Sequence, residues 1–298
     1  MKTIVLFVKS MRLYQWVKNV FIFAPVIFSL HLPGFDIVGN IINCVIAFFL
    51  FSMVTGSIYI FNDCFDRKKD MYHPEKCKRP IASGRLAVPT AVIGASVILA
   101  AALTAIFLFN RTFFIIAAVY IVMNITYSYL LKKVVILDVM VIAVGFVLRV
   151  LIGGEINKIE LSVWILIITF ILAIFLGLVK RRQELVKINM TDGDMRSNTR
   201  KTLVQYNIVL LDQLISITTA TTLISYIIYV INPDIQQKFH TRQLYLTVPF
   251  VVFGIFRYLY LTYSEGKGEN PSEIIFTDLP FFLNIILWVG VFIAIIFY

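Results

Sequence analysis

The chain has 298 residues, of which 59% are hydrophobic and 15% are charged, and its formal net charge is +10. A soluble domain carries roughly 25% charged residues, so this composition excludes an ordinary soluble protein and predicts a polytopic membrane protein. The three cysteines and three histidines are too few and too scattered for a disulfide framework or a zinc site.

Nine apolar runs follow one another along the chain, each close to the roughly 20 residues that cross a bilayer as an α-helix. They cover residues 17–33, 38–61, 88–109, 112–131, 134–154, 161–179, 207–231, 243–263 and 279–298. The runs are continuous rather than alternating, which argues against a β-barrel. The sequence therefore predicts an all-α bundle of about nine transmembrane helices, a single domain over residues 1–298 with polar loops near 62–87 and 180–206.

The distribution of Lys and Arg predicts the orientation of the bundle. With the N-terminus inside, 21 of the 27 basic residues fall on the cytoplasmic side, four on the opposite side and two within spans. We therefore expect a multi-pass protein of the inner (plasma) membrane with both polar loops in the cytoplasm. The positive charge also suits anionic lipids or phosphate-bearing substrates, whereas nothing separately indicates nucleic acid binding.

The first polar loop mixes acids and bases directly after the second apolar run, with four acids and six bases between residues 62 and 80. If the helix continues past Asn62, then Asn62, Asp66 and Asp70 follow at i, i+4 and i+8 and share one face. Oxygen ligands on one face suit Mg²⁺, which prefers hard donors and adds water and substrate phosphates. The alternative, an ordinary interfacial helix end, would be mostly Lys and Arg.

A second polar segment follows the sixth apolar run on the same predicted side. It contains Lys180, Arg181, Arg182 and Glu184, with Asp192 and Asp194 further along. Basic loops are common at the ends of membrane helices, and the Asp192-Gly193-Asp194 triplet also suits a simple turn. The shared side of the two segments favours one joint site.

Charges within the spans are costly and tend to mark function. Arg149 and Asp138 lie in the fifth run, where pairing between helices is the alternative for Arg149 and a simple end charge is the alternative for Asp138. A polar and aromatic group at the mouth of the first run indicates either interfacial anchoring or a part in the site. Its members are Arg12, Gln15, Trp16, Lys18 and Asn19.

These motifs together resemble the UbiA superfamily of intramembrane prenyltransferases. The resemblance rests on Asn62-Asp63-x-x-Asp66-x-x-x-Asp70 after the second span, on the nine predicted helices and on the second polar segment. Four segments look more narrowly like its decaprenyl-phosphate phosphoribosyltransferase branch: Gln15-Trp16-Val17-Lys18-Asn19, Asp70-x-x-His73-Pro74-x-Lys76-x-x-Arg79-Pro80-Ile81-Ala82-Ser83-Gly84, Gly145-Phe146-x-x-Arg149 and Lys180-Arg181-x-x-Glu184-Leu185. The similarity extends over nearly the whole chain.

The sequence departs from most aromatic prenyltransferases of that superfamily, which carry a second aspartate-rich motif after helix six. Here Lys180-Arg181-Arg182-Gln183-Glu184 stands in its place. By resemblance, this departure fits 5-phosphoribosyl 1-diphosphate, a donor with an additional phosphate. The resemblance implies a Mg²⁺-dependent polyprenyl-phosphate phosphoribosyltransferase that acts on a decaprenyl-type lipid, releases diphosphate and supplies cell-envelope polysaccharide precursors. It also implies a homo-oligomer.

The expected roles follow from the chemistry of that reaction. Asn62, Asp66 and Asp70 hold Mg²⁺ on the departing diphosphate, and Asp63 supports or shares this ligation. The bases Lys76, Lys78 and Arg79 hold phosphate oxygens. In the second segment, the bases Lys180, Arg181 and Arg182 bind the second anionic group. Glu184 orients these cations or contacts ribose hydroxyls. Lys18 or Arg149 guides the phosphate of the acceptor lipid.

Two other functions stay open. A UbiA-type prenyltransferase that moves an isoprenoid from its diphosphate to an aromatic or other small acceptor would need Asp192 and Asp194 as a second metal site. A transporter or lipid-binding protein would release no diphosphate, and the concentration of acids at one face, rather than in broken helices at the midplane, argues against it.

Overall fold

A computed structural model describes residues 2–30, 34–72, 76–190, 203, 205–266, 274–275 and 277–297, and these residues contain helices but no strand. Helix α1 spans Lys2–Ser10, and a 3-10 helix over Leu13–Phe23 leads into the single turn α2, Ala24–Ile27. The remaining helices are α3 (Ile37–Phe65), α4 (Arg67–Asp70), α5 (Val88–Phe109), α6 (Arg111–Tyr129), α7 (Leu137–Ile156), α8 (Val163–Met190), α9 (Ile208–Ile231), α10 (Pro233–Lys238), α11 (Val248–Tyr263) and α12 (Leu279–Phe297). Shorter 3-10 turns cover Lys76–Lys78, Leu131–Lys133 and Gln243–Thr247.

Among the described residues, eight helices are long and apolar enough to cross a membrane. They are α3, α5, α6, α7, α8, α9, α11 together with the 3-10 turn before it, and α12. These helices coincide with the second to ninth predicted runs, because each run of about 20 apolar residues makes one crossing. The predicted all-α membrane bundle is therefore confirmed.

The first predicted span has an unusual form, a 3-10 helix of 11 residues followed by one α-turn. Since a 3-10 helix rises ~2.0 Å per residue, Leu13–Ile27 is about 28 Å long, as long as about 19 residues of α-helix. It runs antiparallel to α3, with Arg12 beside Asp63 and Ile22 beside Cys44. The segment thus lies beside the part of α3 from Cys44 to Asp63, and it begins four residues before the predicted run of 17–33.

A close contact at Gly153 fixes this segment against α7. A Cβ atom at Gly153 would lie 2.0 Å from the carbonyl oxygen of Ile22. We expect Gly153→Ala to push the 3-10 helix away from α7 and to lower the free energy of unfolding by about 1–3 kcal/mol. Reversible unfolding in mixed micelles measures this loss. Gly290→Ala is the control, since a Cβ there meets nothing within 4 Å, and equal stability of the two variants would contradict the contact.

Successive helices alternate in direction, so α3, α6, α8 and α11 end where α5, α7, α9 and α12 begin. We call this the polar end, because the ion pairs of the described residues gather there, among them Asp63–Arg79, Asp138–Arg181, Asp212–Arg182 and Asp278–Arg257. Both polar segments of the sequence lie at this end.

Helix α8 extends past its apolar run to Met190, which corrects part of the predicted loop near 180–206. Lys180 and Arg181 both pair with Glu184, at i+4 and i+3, and such pairs stabilise a helix. The polar side chains of this segment are therefore held on a helix. Asp192 and Asp194 lie outside the described residues.

Candidate active site

The acidic residues after the second span lie on one continuous helical path. Helix α3 ends at Phe65, but the amide of Asp66 donates to the carbonyl of Asn62 (2.8 Å), and the amide of Asp70 donates to the carbonyl of Asp66 (2.9 Å). Asn62, Asp66 and Asp70 are thus one turn apart, the arrangement expected from the sequence, and we call them the acidic face.

Of the two carboxylates on the acidic face, Asp66 is the more open. Its side chain is 31% exposed, and one oxygen lies 3.6 Å from the ammonium of Lys132. The side chain of Asp70 is 8% exposed, and it accepts a hydrogen bond from Arg79 (2.6 Å). Asp66 is therefore the carboxylate with most room for a ligand.

The acidic face fits a metal ion that is shared with a ligand. Nowhere in the described part of the chain do three His, Cys, Asp or Glu side chains converge on one point. Neighbours one turn apart are about 5–6 Å apart, so Asp66 with Asn62, or Asp66 with Asp70, can hold one ion. Asn62 and Asp70 lie one turn to either side of Asp66, and the expected set of Asn62, Asp66 and Asp70 stays a prediction. Mg²⁺ suits this donor set, since it keeps waters and binds substrate phosphates.

The Asn62 amide is oriented by the neighbouring helix α6. Its oxygen Oδ1 accepts a hydrogen bond from the hydroxyl of Ser128 (3.0 Å). An amide oxygen has a second lone pair, so Asn62 can still act as a metal ligand.

Asp63 is buried between two arginines. Its Oδ1 accepts hydrogen bonds from Arg12 and from Arg79, the latter at 3.0 Å, and its side chain is only 4% exposed. Arg12 reaches it from the left-handed turn (φ 55°) that joins α1 to the 3-10 helix. Because Arg79 also binds Asp70, Asp63 and these arginines connect the first segment of the chain to the acidic face. This position indicates an anchoring role for Asp63.

The other bases of the first cluster follow on a short 3-10 turn. Lys78 is exposed at the polar end and Lys76 is half-buried. Arg79 is occupied by the two carboxylates named above, so the exposed Lys78 is the base of this turn that is most open to phosphate oxygens.

The second cluster centres on a buried arginine. Arg181 is 3% exposed, and it donates from Nε to Asp138 (2.8 Å) and from a terminal nitrogen to Glu184 (2.6 Å). The fully buried Asp138 also accepts a hydrogen bond from the hydroxyl of Tyr206 (2.8 Å). Burial and this hydrogen bond raise the pKa of Tyr206, which keeps it protonated as the donor. Arg181 therefore contacts carboxylates in place of the expected phosphate.

Arg182 joins α8 to two other helices at the polar end. Its Nε donates to Asp212 (2.6 Å), and its guanidinium lies 4.0 Å from the centroid of the Tyr263 ring. The Tyr263 hydroxyl donates to the same carboxylate (2.7 Å). Arg182 is thus also engaged in packing, whereas Lys180 is 37% exposed beside Glu184. Of the three bases expected to bind the second anion, Lys180 is the most accessible.

Arg149 and Lys18 lie deeper, between the 3-10 helix, α3 and α7. Arg149 is 4% exposed and donates to the Asn19 side chain (2.8 Å). Lys18 is within electrostatic range of both Arg149 and Arg12. The contact of Arg149 with Asn19, the residue that follows Lys18, brings these two predicted substrate-binding residues into the same region.

Several partners at the site escaped the sequence analysis. Ser128, Lys132 and Tyr206 gave no signal, because each is a common residue far in sequence from the group it contacts. Asp212 did give a signal in the sequence, since an acid within an apolar run is costly unless it is paired.

Comparison with known proteins places these features in a family. Residues 20–286 match the UbiA prenyltransferase family. The chain is 26% identical to the "Decaprenyl-phosphate phosphoribosyltransferase" of Mycolicibacterium smegmatis, over 95% of this chain and 90% of that protein. It is 33% identical to the "Uncharacterized protein y4nM" of Sinorhizobium fredii over 60% of this chain, an alignment that spans about a third (34%) of that longer relative.

A solved structure has the same architecture. A UbiA homolog from Archaeoglobus fulgidus, bound to GPP and Mg²⁺, superposes with a TM-score of 0.71 at 18% identity, over 98% of this chain and all (100%) of that one. At this identity the likeness shows the fold. Its agreement with the bundle described above, together with the family match over nearly the whole chain, shows that this multi-pass membrane protein belongs to the UbiA prenyltransferase family.

Proposed function

We propose that this protein transfers 5-phosphoribose from 5-phosphoribosyl 1-diphosphate to a polyprenyl phosphate of decaprenyl type and releases diphosphate. One observation carries the proposal. In place of a second acidic motif after the sixth predicted span, the chain has the basic segment of α8, whose arginines pair with carboxylates of neighbouring helices. Among the described residues, the polar end thus has one acidic face and one basic segment, which suits a donor with one diphosphate and one further phosphate. The similarity to proteins named decaprenyl-phosphate phosphoribosyltransferase supports the same donor.

In the proposed reaction, Asp66 together with Asn62 or Asp70 holds Mg²⁺ against the donor diphosphate. Bound Mg²⁺ supplies neutralisation of the charge that develops on this leaving group. Lys76 and Lys78 bind its oxygens, and Lys180 contacts the outer part of the donor. The buried Asp63, with Arg12 and Arg79, keeps the acidic face in place.

The bond changes balance without a strong general base. The bond between the anomeric carbon of ribose and the diphosphate oxygen breaks, and a bond from the same carbon to a phosphate oxygen of the lipid forms. The lipid phosphate is already ionised at neutral pH, so no proton must leave the nucleophile. Glu184, fixed by Arg181, is placed to orient the nearby cations or to accept hydrogen bonds from ribose hydroxyls.

The setting of the reaction follows from where each substrate dissolves. The donor is water-soluble and reaches the polar end, which the excess of Lys and Arg assigns to the cytoplasm. The acceptor tail lies in the bilayer of the inner membrane, and its product would feed cell-envelope polysaccharide synthesis. We extend the proposal to a homo-oligomer, in keeping with the family resemblance.

The experiment measures diphosphate release by the purified protein in two mixtures. One contains Mg²⁺, 5-phosphoribosyl 1-diphosphate and a polyprenyl phosphate, and the other contains Mg²⁺, a prenyl diphosphate and an aromatic acid. We expect release only in the first mixture, dependent on both substrates and abolished by EDTA, because the acidic face needs the metal to bind diphosphate. Release in the second mixture alone would replace the proposal with prenyl transfer and would make Asp192 and Asp194 the next residues to test.

A further inference from the structure

Arg149 is a buried cation whose contacts are all neutral. It donates to the side chain of Asn19 (2.8 Å), the carbonyl of Gly145 (2.5 Å) and the hydroxyl of Tyr120 (3.2 Å). A guanidinium has five N–H groups. Within the described chain, two of these groups therefore find no acceptor, although the residue is only 4% exposed.

Lys18 adds a second charge at the same place. It lies in the 3-10 helix two turns after Arg12 and directly before Asn19, whose side-chain oxygen accepts the hydrogen bond from Arg149. Of these three cations, Arg12 is the one that contacts a carboxylate among the described residues, namely Asp63. The interior of the bundle thus holds two neighbouring positive charges without a negative partner in the described chain.

The 3-10 helix explains how these charges connect to the polar end. With three residues per turn, Arg12, Gln15 and Lys18 stand in one row, whereas in an α-helix each would be turned by about 60° from the one before. The side-chain oxygen of Gln15 is buried and has no hydrogen-bond partner. The outer row of the same helix, with Tyr14 66% and Val20 50% exposed, faces the lipid side. The row of polar residues therefore leads inward from Arg12.

Burying the Arg149 cation without an acidic partner is costly, and an anion that contacts both Arg149 and the partly exposed Lys18 would offset this cost. A phosphate monoester carries a charge of about −1.5 to −2 at pH 7 and three strong acceptor oxygens. A phosphate diester, with one charge, would leave one of the two cations uncompensated. The two spare N–H groups of Arg149 suit an oxyanion, since guanidinium binds phosphate in a bidentate manner.

We infer that Lys18 and Arg149 form a binding site for the dianion of a phosphate monoester. The inference deepens the proposed function and rests on it for the identity of the ligand. Two substrates of that reaction carry such a group, the acceptor lipid through its phosphate and the donor through its 5-phosphate. In this inference, Lys18 and Arg149 bind the second anion. The sequence analysis assigns that anion to Arg181 and Arg182, both of which contact carboxylates.

The test is equilibrium binding without turnover, with farnesyl phosphate and ribose 5-phosphate as separate probes on the full-length protein in lipid nanodiscs. We expect Lys18→Met and Arg149→Met each to weaken binding of one probe by about 10- to 100-fold and to leave the other probe unaffected. Loss of farnesyl phosphate binding assigns the site to the acceptor, and loss of ribose 5-phosphate binding assigns it to the donor. In the wild-type protein, binding of that probe weakens below about pH 6, where the monoester takes up a proton.

Controls separate charge from folding. Lys18→Arg keeps the charge and should retain most of the binding, and Arg111→Met removes a cation whose ring partner is Phe107, at the opposite end of the bundle, and should retain all of it. Unchanged binding of both probes in correctly folded Lys18→Met and Arg149→Met proteins overturns the inference. An equal loss for farnesol, which has no phosphate, overturns it too. Because binding is measured without reaction, a failure of the proposed transfer activity is seen separately, as absent diphosphate release.

Discussion

Replacing Asp66 with alanine is expected to reduce diphosphate release by about three orders of magnitude while the protein still folds and inserts. Asp66 is the more open carboxylate of the acidic face and the one that neighbours both other members. Loss of a ligand to the leaving-group metal removes several kcal/mol of transition-state stabilisation, and each 1.36 kcal/mol corresponds to about tenfold in rate. The measurement is steady-state diphosphate release at saturating Mg²⁺ and both proposed substrates.

Two further variants serve as comparisons for the Asp66→Ala protein. Asp234→Ala removes an exposed acid on α10, at the opposite end of the bundle, and should leave the rate unchanged. Asp63→Ala should instead lower the stability, because it leaves Arg12 without its buried carboxylate and Arg79 with Asp70 alone. A rate close to wild type in the Asp66→Ala protein would show that the acidic face does not hold the metal.

Replacing Asp138 with alanine is expected to lower the free energy of unfolding by about 3–5 kcal/mol, the usual cost of breaking a buried ion pair from one side. The variant leaves Arg181 uncompensated in the interior and removes the acceptor of the Tyr206 hydroxyl. Tyr206 in turn accepts a hydrogen bond from the amide of Ile136 (2.8 Å), a β-branched residue at φ 70°. Such a conformation costs about 1–3 kcal/mol and persists only while its surroundings hold it. Unfolding in mixed micelles, followed by tryptophan fluorescence, measures the loss.

A double variant separates the charge from the packing. Asp138→Leu combined with Arg181→Met replaces the ion pair with apolar groups, and such replacements are often neutral or stabilising. The double variant should therefore be more stable than Asp138→Ala, although Glu184 keeps only Lys180 of its two basic partners and the proposed transfer should remain slow. If the double variant were no more stable than the single one, the uncompensated charge of Arg181 would not be the cause of the loss.

The location of the acidic face could be predicted because its residues are close in sequence. Asn62, Asp66 and Asp70 are spaced by four, and the helical path through Asp66 preserves that spacing. The same local rule does not tell whether one ion can reach all three, since that depends on the rise of the helix. The span from Asn62 to Asp70 is about 12 Å along the axis of an ideal helix, so the sharing of one ion by all three residues stays a prediction.

The roles of the basic residues could not be assigned from sequence. Arg181 and Lys180 are neighbours in the chain, yet Arg181 is buried against Asp138 on another helix and Lys180 remains accessible. Such a difference depends on which side of α8 faces α7. Arg149 and Asn19, by contrast, are 130 residues apart in the chain and become partners only in the folded bundle. Lys18, next to Asn19, comes near Arg149 for the same reason.

By itself, the sequence determined the class of the protein, the number and position of its apolar runs and the acidic motif after the second of them. These features are local, and the thickness of the bilayer fixes how many consecutive apolar residues make one crossing. The tertiary structure decided the 3-10 form of the first predicted span, the partners of the buried charges and the contact that brings Arg149 near Lys18, through Asn19. These depend on contacts between helices, where burial makes an unpaired charge costly and so selects which acid faces which base.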